Sequence, residues 1–238
     1  MEHYATLLSF GPDGWGASIA WGLLVTVSLA LATLPVGLAL GFLVAIGKQS
    51  SEPSIRLAAN IYTTIFRGLP ELLTLFLVYF GASLGLQRLL SLFGIEANVE
   101  INAFGAGMVA LGFVFSSYSS EVFLSAFRAI PRGQYEGGYA VGLSHWQTMR
   151  KVILPQLIRI ALPGLANLWL ISTKDTALLA VVGFSELTLV TRQAAGTTKH
   201  YLLFFLTAGV LYLGLTLISN AFIGMIERRS RRGFARID

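Results

Sequence analysis

Long apolar runs dominate the pattern of hydrophobic and polar positions along the chain. Polar segments separate five such runs, which lie at 17–46, 57–84, 101–118, 158–182 and 201–226. A helix needs about 20 mostly apolar residues to cross the hydrocarbon core of a bilayer, so each run is long enough for one crossing. The pattern predicts an all-α polytopic membrane protein with about five transmembrane helices. We expect residues 1–238 to form a single transmembrane domain.

Two of the runs contain residues that interrupt a regular helix. The first holds Pro35, which predicts a kink with local rearrangement of the backbone hydrogen bonds. It also holds Gly37 and Gly41, whose spacing makes them a candidate helix-packing face. The second run carries Pro70 between two charged residues, an arrangement typical of the broken helices found near transporter binding sites.

Composition supports the bilayer as the solvent of this chain. Hydrophobic residues make up 55%, charged residues 12%, and the mean hydropathy is +0.70. A soluble domain carries about 25% charged residues, and one core of this size could not bury so much apolar surface. The chain has no cysteine, which excludes disulfides, thiol catalysis and cysteine-rich metal sites.

The sequence contains no recognisable catalytic or nucleotide-binding motif. It lacks a Gly-x4-Gly-Lys-Ser/Thr loop and a Gly-x-Ser-x-Gly elbow. The three histidines are scattered without metal-ligand spacing. We therefore expect a non-catalytic chain that binds no metal or cofactor itself.

Lys and Arg are distributed unequally between the two sides that five crossings would define. One side collects twelve of them, including the arginines of the basic C-terminal tail, and the other side collects three. The positive-inside rule then places the N-terminus outside and the C-terminus in the cytoplasm. The net charge of +5 is explained in this way, without nucleic-acid binding. The basic tail is expected to contact anionic membrane lipid.

The longest polar segment, 122–156, lies on the expected cytoplasmic side. Within it, Glu136 is followed by Gly142 and then by the sequence Val-x-Leu-Pro, which ends in Leu154 and Pro155. A Gly permits a tight or left-handed turn, and a Pro is well placed in the first turn of a helix. The pattern predicts a short helix, a turn and a second helix over about 131–156.

This spacing resembles the EAA loop of ABC importer permeases, E-A-A-x3-G-x9-I-x-L-P, with Gly137 and Gly138 in place of the two alanines. Two such glycines would cost the short helix roughly 1 kcal/mol each relative to alanine. Three further segments are similar to those of polar amino acid permeases: YTTIFRGLPEL, SSYSSEVFLSAFRAIPRGQ and ALPGLANLWLISTKDTAL. The resemblance is to the group that imports histidine, lysine, arginine and ornithine, with its octopine and nopaline relatives.

The resemblance implies a type I ABC importer permease core in a bacterial inner membrane. It implies a permease subunit that forms the translocation pathway for polar, in particular basic, amino acids or opines. The implied partners are a cytoplasmic ATPase dimer that binds ATP and Mg²⁺, a sister permease and an external or periplasmic solute-binding protein. The residues implied in contact with the ATPase are Glu136, Gly142, Leu154 and Pro155.

Five charged residues lie inside or at the ends of apolar runs: Arg67, Glu71, Glu121, Lys174 and Asp175. Burial of a charge in a bilayer costs about 2.5 kcal/mol or more, so such groups face the protein interior and find partners. A cationic, zwitterionic substrate needs a cation for its carboxylate and acids for its amines, which these residues supply. Structural ion pairs or gate contacts are the alternative. Arg67 and Glu71 are one turn apart and could pair locally, unless the chain breaks between them.

Two rival functions remain at this point. A proton-coupled secondary transporter would use Arg67, Glu71 and Glu121 as a proton relay and would need no ATPase. A channel or a structural subunit would need no charges around Pro70. Neither rival explains the EAA-like segment.

Overall fold

The computed structural model describes residues 2–93 and 102–231, and no strand occurs in these ranges. The α-helices there are α1 (Glu2–Leu7), α2 (Gly16–Lys48), α3 (Pro53–Gly68), α4 (Glu71–Leu92), α5 (Ala103–Ala129), α6 (Arg132–Ala140), α7 (His145–Thr148), α8 (Leu154–Asp175), α9 (Leu187–Thr198) and α10 (Tyr201–Arg231). A π-helical turn, Met149–Ile153, joins α7 to α8, and a 3-10 helix, Thr176–Val182, follows α8. The all-α fold is therefore confirmed. Most of the basic tail lies outside the described residues.

Four helical segments are long and apolar enough to cross a membrane, and a bent helix pair brings the number to five if it forms one span. The bent pair is α3 with the first part of α4, which meet at 109°. Leu69 and Pro70 are extended at this break, because a residue before proline is driven out of the helical region. The second apolar run is thus interrupted at Leu69 and Pro70, and the break at the proline is as predicted.

The contact between α2 and α5 organises the centre of the molecule. A Cβ atom at Gly37 would overlap the ring of Phe115, and one at Gly41 would overlap the side chain of Ser119. The Ser119 hydroxyl donates a hydrogen bond to the Gly37 carbonyl across the same contact, at 3.1 Å. The glycine pair therefore forms a helix-packing face, and α2 continues as a helix through Pro35.

Two boundaries differ from the sequence expectation. Residues 122–129, expected in the polar segment, extend α5 and bury Phe123, Leu124 and Phe127 against α2 and α8. The connection 184–200 contains α9, a helix that buries Leu187 and Ala194 against α2 and α10. Both stretches have helical apolar spacing, and residues 122–129 belong to the same candidate membrane span as the rest of α5.

Candidate functional site

The EAA-like hairpin, residues 131–156, begins with α6, on which Glu136 is exposed. Gly142 follows the helix with φ of +82°, a left-handed conformation that disfavours any residue with a Cβ atom. Leu154 is the first residue of α8, and Pro155 follows it directly after the π-helical turn Met149–Ile153, in which the Leu154 N–H donates to the Met149 carbonyl. The predicted helix, turn and second helix are therefore present.

The second arm of the hairpin is attached firmly to the spans. Ser144 and Gln147 form a capping box at the start of α7. Ile153 and Leu157 are fully buried in a core with α2 and α5 residues, and Tyr135 of α6 packs against the same core. The hairpin therefore shares one core with α2, α5 and α8.

The opposite surface of the hairpin is apolar and exposed. Val141 is 77% exposed and Trp146 is 70% exposed, on either side of the Gly142 turn. Next to them, the Tyr139 hydroxyl and the Nδ1 atom of His145 form a hydrogen bond of 2.9 Å. Large apolar groups exposed on a polar segment are typical of a surface that contacts another protein.

The two glycines in place of Ala-Ala have different surroundings. A Cβ atom at Gly137 would meet nothing within 4 Å. A Cβ atom at Gly138 would lie 2.5 Å from the Cγ2 atom of Thr148, which is closer than van der Waals contact allows. Gly138 therefore lets α6 approach α7, whereas Gly137 only lowers the stability of α6.

Two of the five charged residues identified in the sequence, Arg67 and Glu121, form an ion-pair triad with Lys48. Lys48 of α2 and Arg67 of α3 both contact the Oε1 atom of Glu121 on α5, the latter at 3.2 Å. The exposed fractions are 7% for the Lys48 side chain, 33% for Glu121 and 45% for Arg67. Arg67 thus pairs with Glu121 and not with Glu71, because the chain breaks between Arg67 and Glu71.

Two other acids, Glu71 and Asp175, line one cavity of about 200 Å³ between α4, α5 and α8. We call it the acidic cavity. Tyr118 and Ser172 supply hydroxyl groups to its lining, and the remaining walls are apolar: Leu111, Val114, Phe115, Leu168 and Ile171. Two carboxylates inside apolar walls favour a cation there, because like charges repel strongly where water is scarce.

Lys174 does not line the acidic cavity, and its side chain is exposed. Neighbours on a helix project in different directions, so only Asp175 of this pair faces the cavity. Tyr118 and Ser172 were absent from the sequence prediction. The sequence did hold a signal for both residues, namely their helical spacing from predicted charges. Ser172 lies three residues before Asp175, and Tyr118 lies three residues before Glu121.

Glu186 is a buried acid whose structural role the sequence did not reveal. It is fully buried, and its carboxylate accepts hydrogen bonds from the backbone N–H groups of Thr188 and Leu189 at the start of α9. Thr26 of α2 and Tyr212 of α10 also donate to it. Burial raises the pKa of the Glu186 carboxyl, and these hydrogen bonds limit that rise. Glu186 joins α2, α9 and α10.

Membrane-crossing helices that hold a cavity with paired acids, together with a protruding hairpin, define a subunit of a membrane transporter. The chain belongs to the family of binding-protein-dependent transport system inner membrane components, whose model matches residues 37–232. This membership confirms the recognition of an ABC importer permease.

Relatives of known function match along almost the whole chain. The octopine transport system permease protein OccQ of Rhizobium meliloti is 39% identical over 98% of both chains. The nopaline permease NocQ of Agrobacterium fabrum is 39% identical, over 96% of this chain and 97% of its own. The histidine/lysine/arginine/ornithine permease HisQ of Salmonella typhimurium is 33% identical, over 94% and 98%.

Solved structures show the same fold. A chain of an amino acid ABC transporter crystallised with histidines superposes with a TM-score of 0.76 at 31% identity, over 90% of this chain and 95% of that one. A chain of the inward-facing MetNI methionine transporter gives a TM-score of 0.72 at 18% identity, over 90% and 97%, which supports the fold alone.

Proposed function

We propose that this chain is the permease subunit of an ATP-driven importer for basic amino acids or opines, and that it forms the translocation pathway. The observation that carries the proposal is the acidic cavity, in which Glu71 and Asp175 face one space between three helices. The relatives named above transport octopine, nopaline, or histidine, lysine, arginine and ornithine.

The cavity has the chemistry that a cationic side chain requires. A guanidinium, an ammonium or an imidazolium can donate charge-assisted hydrogen bonds to Glu71 and Asp175, with the hydroxyl of Ser172 as a further acceptor. The apolar walls suit the aliphatic part of such a substrate. Lys174 and Arg67 lie outside the cavity lining and are not needed for this contact.

The EAA-like hairpin is the proposed contact with the partner ATPase, which supplies ATP and Mg²⁺. Glu136 and the apolar pair Val141 and Trp146 are exposed, as a docking surface requires. The Gly142 turn presents this surface, and Leu154 with Pro155 begins the helix that carries Asp175. Movement of the ATPase would thereby reach the cavity through α8.

The remaining partners follow from the same proposal. A sister permease completes the pathway beside α8, since the exposed Lys174 on this span needs a polar neighbour rather than lipid. A solute-binding protein delivers the substrate at the outer face. In this proposal the N-terminus lies outside a bacterial inner membrane and the C-terminus lies in the cytoplasm.

A proton relay through Arg67, Glu71 and Glu121 is not favoured, because Glu121 pairs with two cations while Glu71 faces a separate cavity.

Uptake of labelled arginine, lysine, histidine and octopine into proteoliposomes that hold the complete transporter tests the substrate class. Glu71→Gln and Asp175→Asn should each reduce uptake of the cationic substrate about tenfold or more, since loss of a charge-assisted hydrogen bond costs about 1.5–3 kcal/mol. Glu52→Gln removes an acid that is exposed and distant from the cavity, and it should leave uptake unchanged. Equal uptake of the cationic substrate by all three variants would refute the acidic cavity as its binding site, and absence of uptake of every cationic substrate would refute the substrate class.

A further inference from the structure

A second pocket lies along the same two helices as the acidic cavity, α5 and α8. This open groove of about 460 Å³ is lined by Glu121, Val122, Ser125, Ala126, Ala129, Ile160 and Gly164. We call it the Glu121 groove. It extends to the end of α5 at Ala129, which the distribution of Lys and Arg assigns to the cytoplasmic side.

One strip of α5 connects the two spaces. Tyr118 lines the acidic cavity, and Glu121 and Ser125 line the groove. Steps of three and four residues place these side chains on one face of the helix. On α8, Ser172 lines the cavity and Gly164 lines the groove, again on one face. The cavity and the groove therefore follow one another along the same helix pair.

Arg67 lies at the boundary between the two spaces. Its Nη1 atom is 3.2 Å from Glu121, which lines the groove, and its Cζ atom is 5.6 Å from the ring centroid of Tyr118, which lines the cavity. Its side chain is 45% exposed, whereas Lys48, on the same carboxylate oxygen, is 7% exposed. Glu121 is thus paired with one enclosed cation and one accessible cation.

We propose that Arg67 is a tethered competitor of the substrate for Glu121, and that a cationic substrate must displace its guanidinium to pass from the acidic cavity into the Glu121 groove. This inference rests on the proposed function, because it takes the substrate to be a cation. An incoming guanidinium or ammonium can donate to Glu121 the hydrogen bonds that Arg67 gives up. Replacement of Arg67 by the substrate therefore costs less free energy than separation of Arg67 from Glu121 without a replacement. Lys48 continues to neutralise Glu121 during the exchange.

Single-cysteine labelling tests this role without a transport substrate, because the natural chain contains no cysteine. Ser172→Cys reports on the acidic cavity and Ser125→Cys on the groove. Inside-out vesicles from native membranes are treated with a trimethylammonium-ethyl or a sulfonato-ethyl methanethiosulfonate. The tagged full-length chain is then isolated, and the modified fraction is measured against time by mass spectrometry.

Arg67→Gln should speed modification at position 172 by the cationic reagent about fivefold, the factor that corresponds to a partly exposed ion pair of about 1 kcal/mol. The anionic reagent should show no acceleration, and position 125 should be modified at an unchanged rate. Arg67→Lys should restore the slow rate. Arg56→Gln is the matched control, since it removes an exposed cation from the other end of α3, the helix that carries Arg67, and it should leave the rate at position 172 unchanged.

Glu121→Gln is a second variant, for which we expect the opposite change in the rate of modification at position 172. It leaves Lys48 and Arg67 without their carboxylate, so the cationic reagent should reach position 172 more slowly. Equal rates in Arg67→Gln and the parent, or equal acceleration by Arg56→Gln, would overturn the competitor role. Uptake assays that fail to find a cationic substrate would instead refute the proposed function, so the two failures are distinguishable.

Discussion

At the scale of single residues, Glu186 is the buried group on which the packing of α2, α9 and α10 depends. Glu186→Ala would leave the N–H groups of Thr188 and Leu189 without their acceptor. Loss of a helix cap together with a buried hydrogen bond costs about 1–3 kcal/mol. We expect a lower thermal midpoint for the purified variant in detergent, and a smaller decrease for Glu186→Gln.

A matched control for Glu186 is Glu52, which occupies the corresponding N-cap position of α3. The Glu52 side chain is exposed and makes no capping hydrogen bond. Glu52→Ala should therefore change stability by no more than about 0.5 kcal/mol. Equal thermal midpoints for Glu52→Ala and Glu186→Ala would contradict the role given to Glu186.

Sequence reasoning at this scale identified which charges are unusual but not their partners. Arg67 and Glu121 lie on different helices far apart in the chain, so no local spacing rule could have joined them. The same holds for Glu71 and Asp175 in the acidic cavity. Glu186 was missed because a single acid in a polar connection gives no signal of burial; its burial arises from the packing of three helices.

At the scale of elements, the EAA-like hairpin depends on the left-handed turn at Gly142. Gly142→Val would force a β-branched residue into a conformation that it rarely adopts. We expect substrate uptake to fall about tenfold, because a turn strained by about 1–2 kcal/mol no longer presents the hairpin to the ATPase. ATP hydrolysis and uptake by the reconstituted transporter measure this effect.

Gly183 offers a control for backbone strain alone. Its φ is +81°, a Cβ atom there would meet nothing within 4 Å, and it follows the 3-10 helix outside the hairpin. Gly183→Val carries the same strain and should retain most of the uptake. Similar losses in both variants would show that strain, and not contact with an ATPase, causes the Gly142 effect.

The short helix α6 should respond in opposite ways to alanine at its two adjacent glycines. Gly137→Ala should raise hairpin stability by about 1 kcal/mol, since the position is open and alanine is the better helix former. Gly138→Ala should lower it by about 1–3 kcal/mol through overlap with Thr148. Hydrogen exchange of the α6 amides measures both changes.

Thr148 supplies the rescue variant for this pair. Its hydroxyl is buried and has no hydrogen-bond partner among the described residues, so Thr148→Ala removes the overlapping atoms at little cost. The double variant Gly138→Ala/Thr148→Ala should exchange more slowly than Gly138→Ala alone. If Gly138→Ala protects the α6 amides as Gly137→Ala does, the close approach of α6 to α7 is wrong.

Sequence reasoning at this scale found the spans and the hairpin turn, because hydropathy and a single glycine suffice to define them. It placed the end of α5 too early and missed α9. In α9 the residues Leu187, Val190 and Ala194 recur at helical spacing, which was the available signal. The break at Pro70 was expected, but its angle of 109° depends on tertiary packing.

At the scale of the whole molecule, we propose that the chain forms one half of a pathway that a separate ATPase drives. Membership of the binding-protein-dependent transport family supports this, as do the exposed hairpin and the exposed Lys174 beside the acidic cavity. The number of crossings and their charge bias were readable from the sequence. The exposure of the hairpin and of Lys174 could not be predicted from the sequence, since it depends on which side chains remain uncovered after folding.

The most direct measurement is the energy source of uptake in proteoliposomes that contain the complex co-purified with this chain. We expect labelled arginine or octopine to enter only when ATP is hydrolysed, and a protonophore to have no effect. Uptake that a proton gradient drives in the absence of ATP, and that the protonophore abolishes, would contradict the proposed ATP-driven import and favour a secondary transporter.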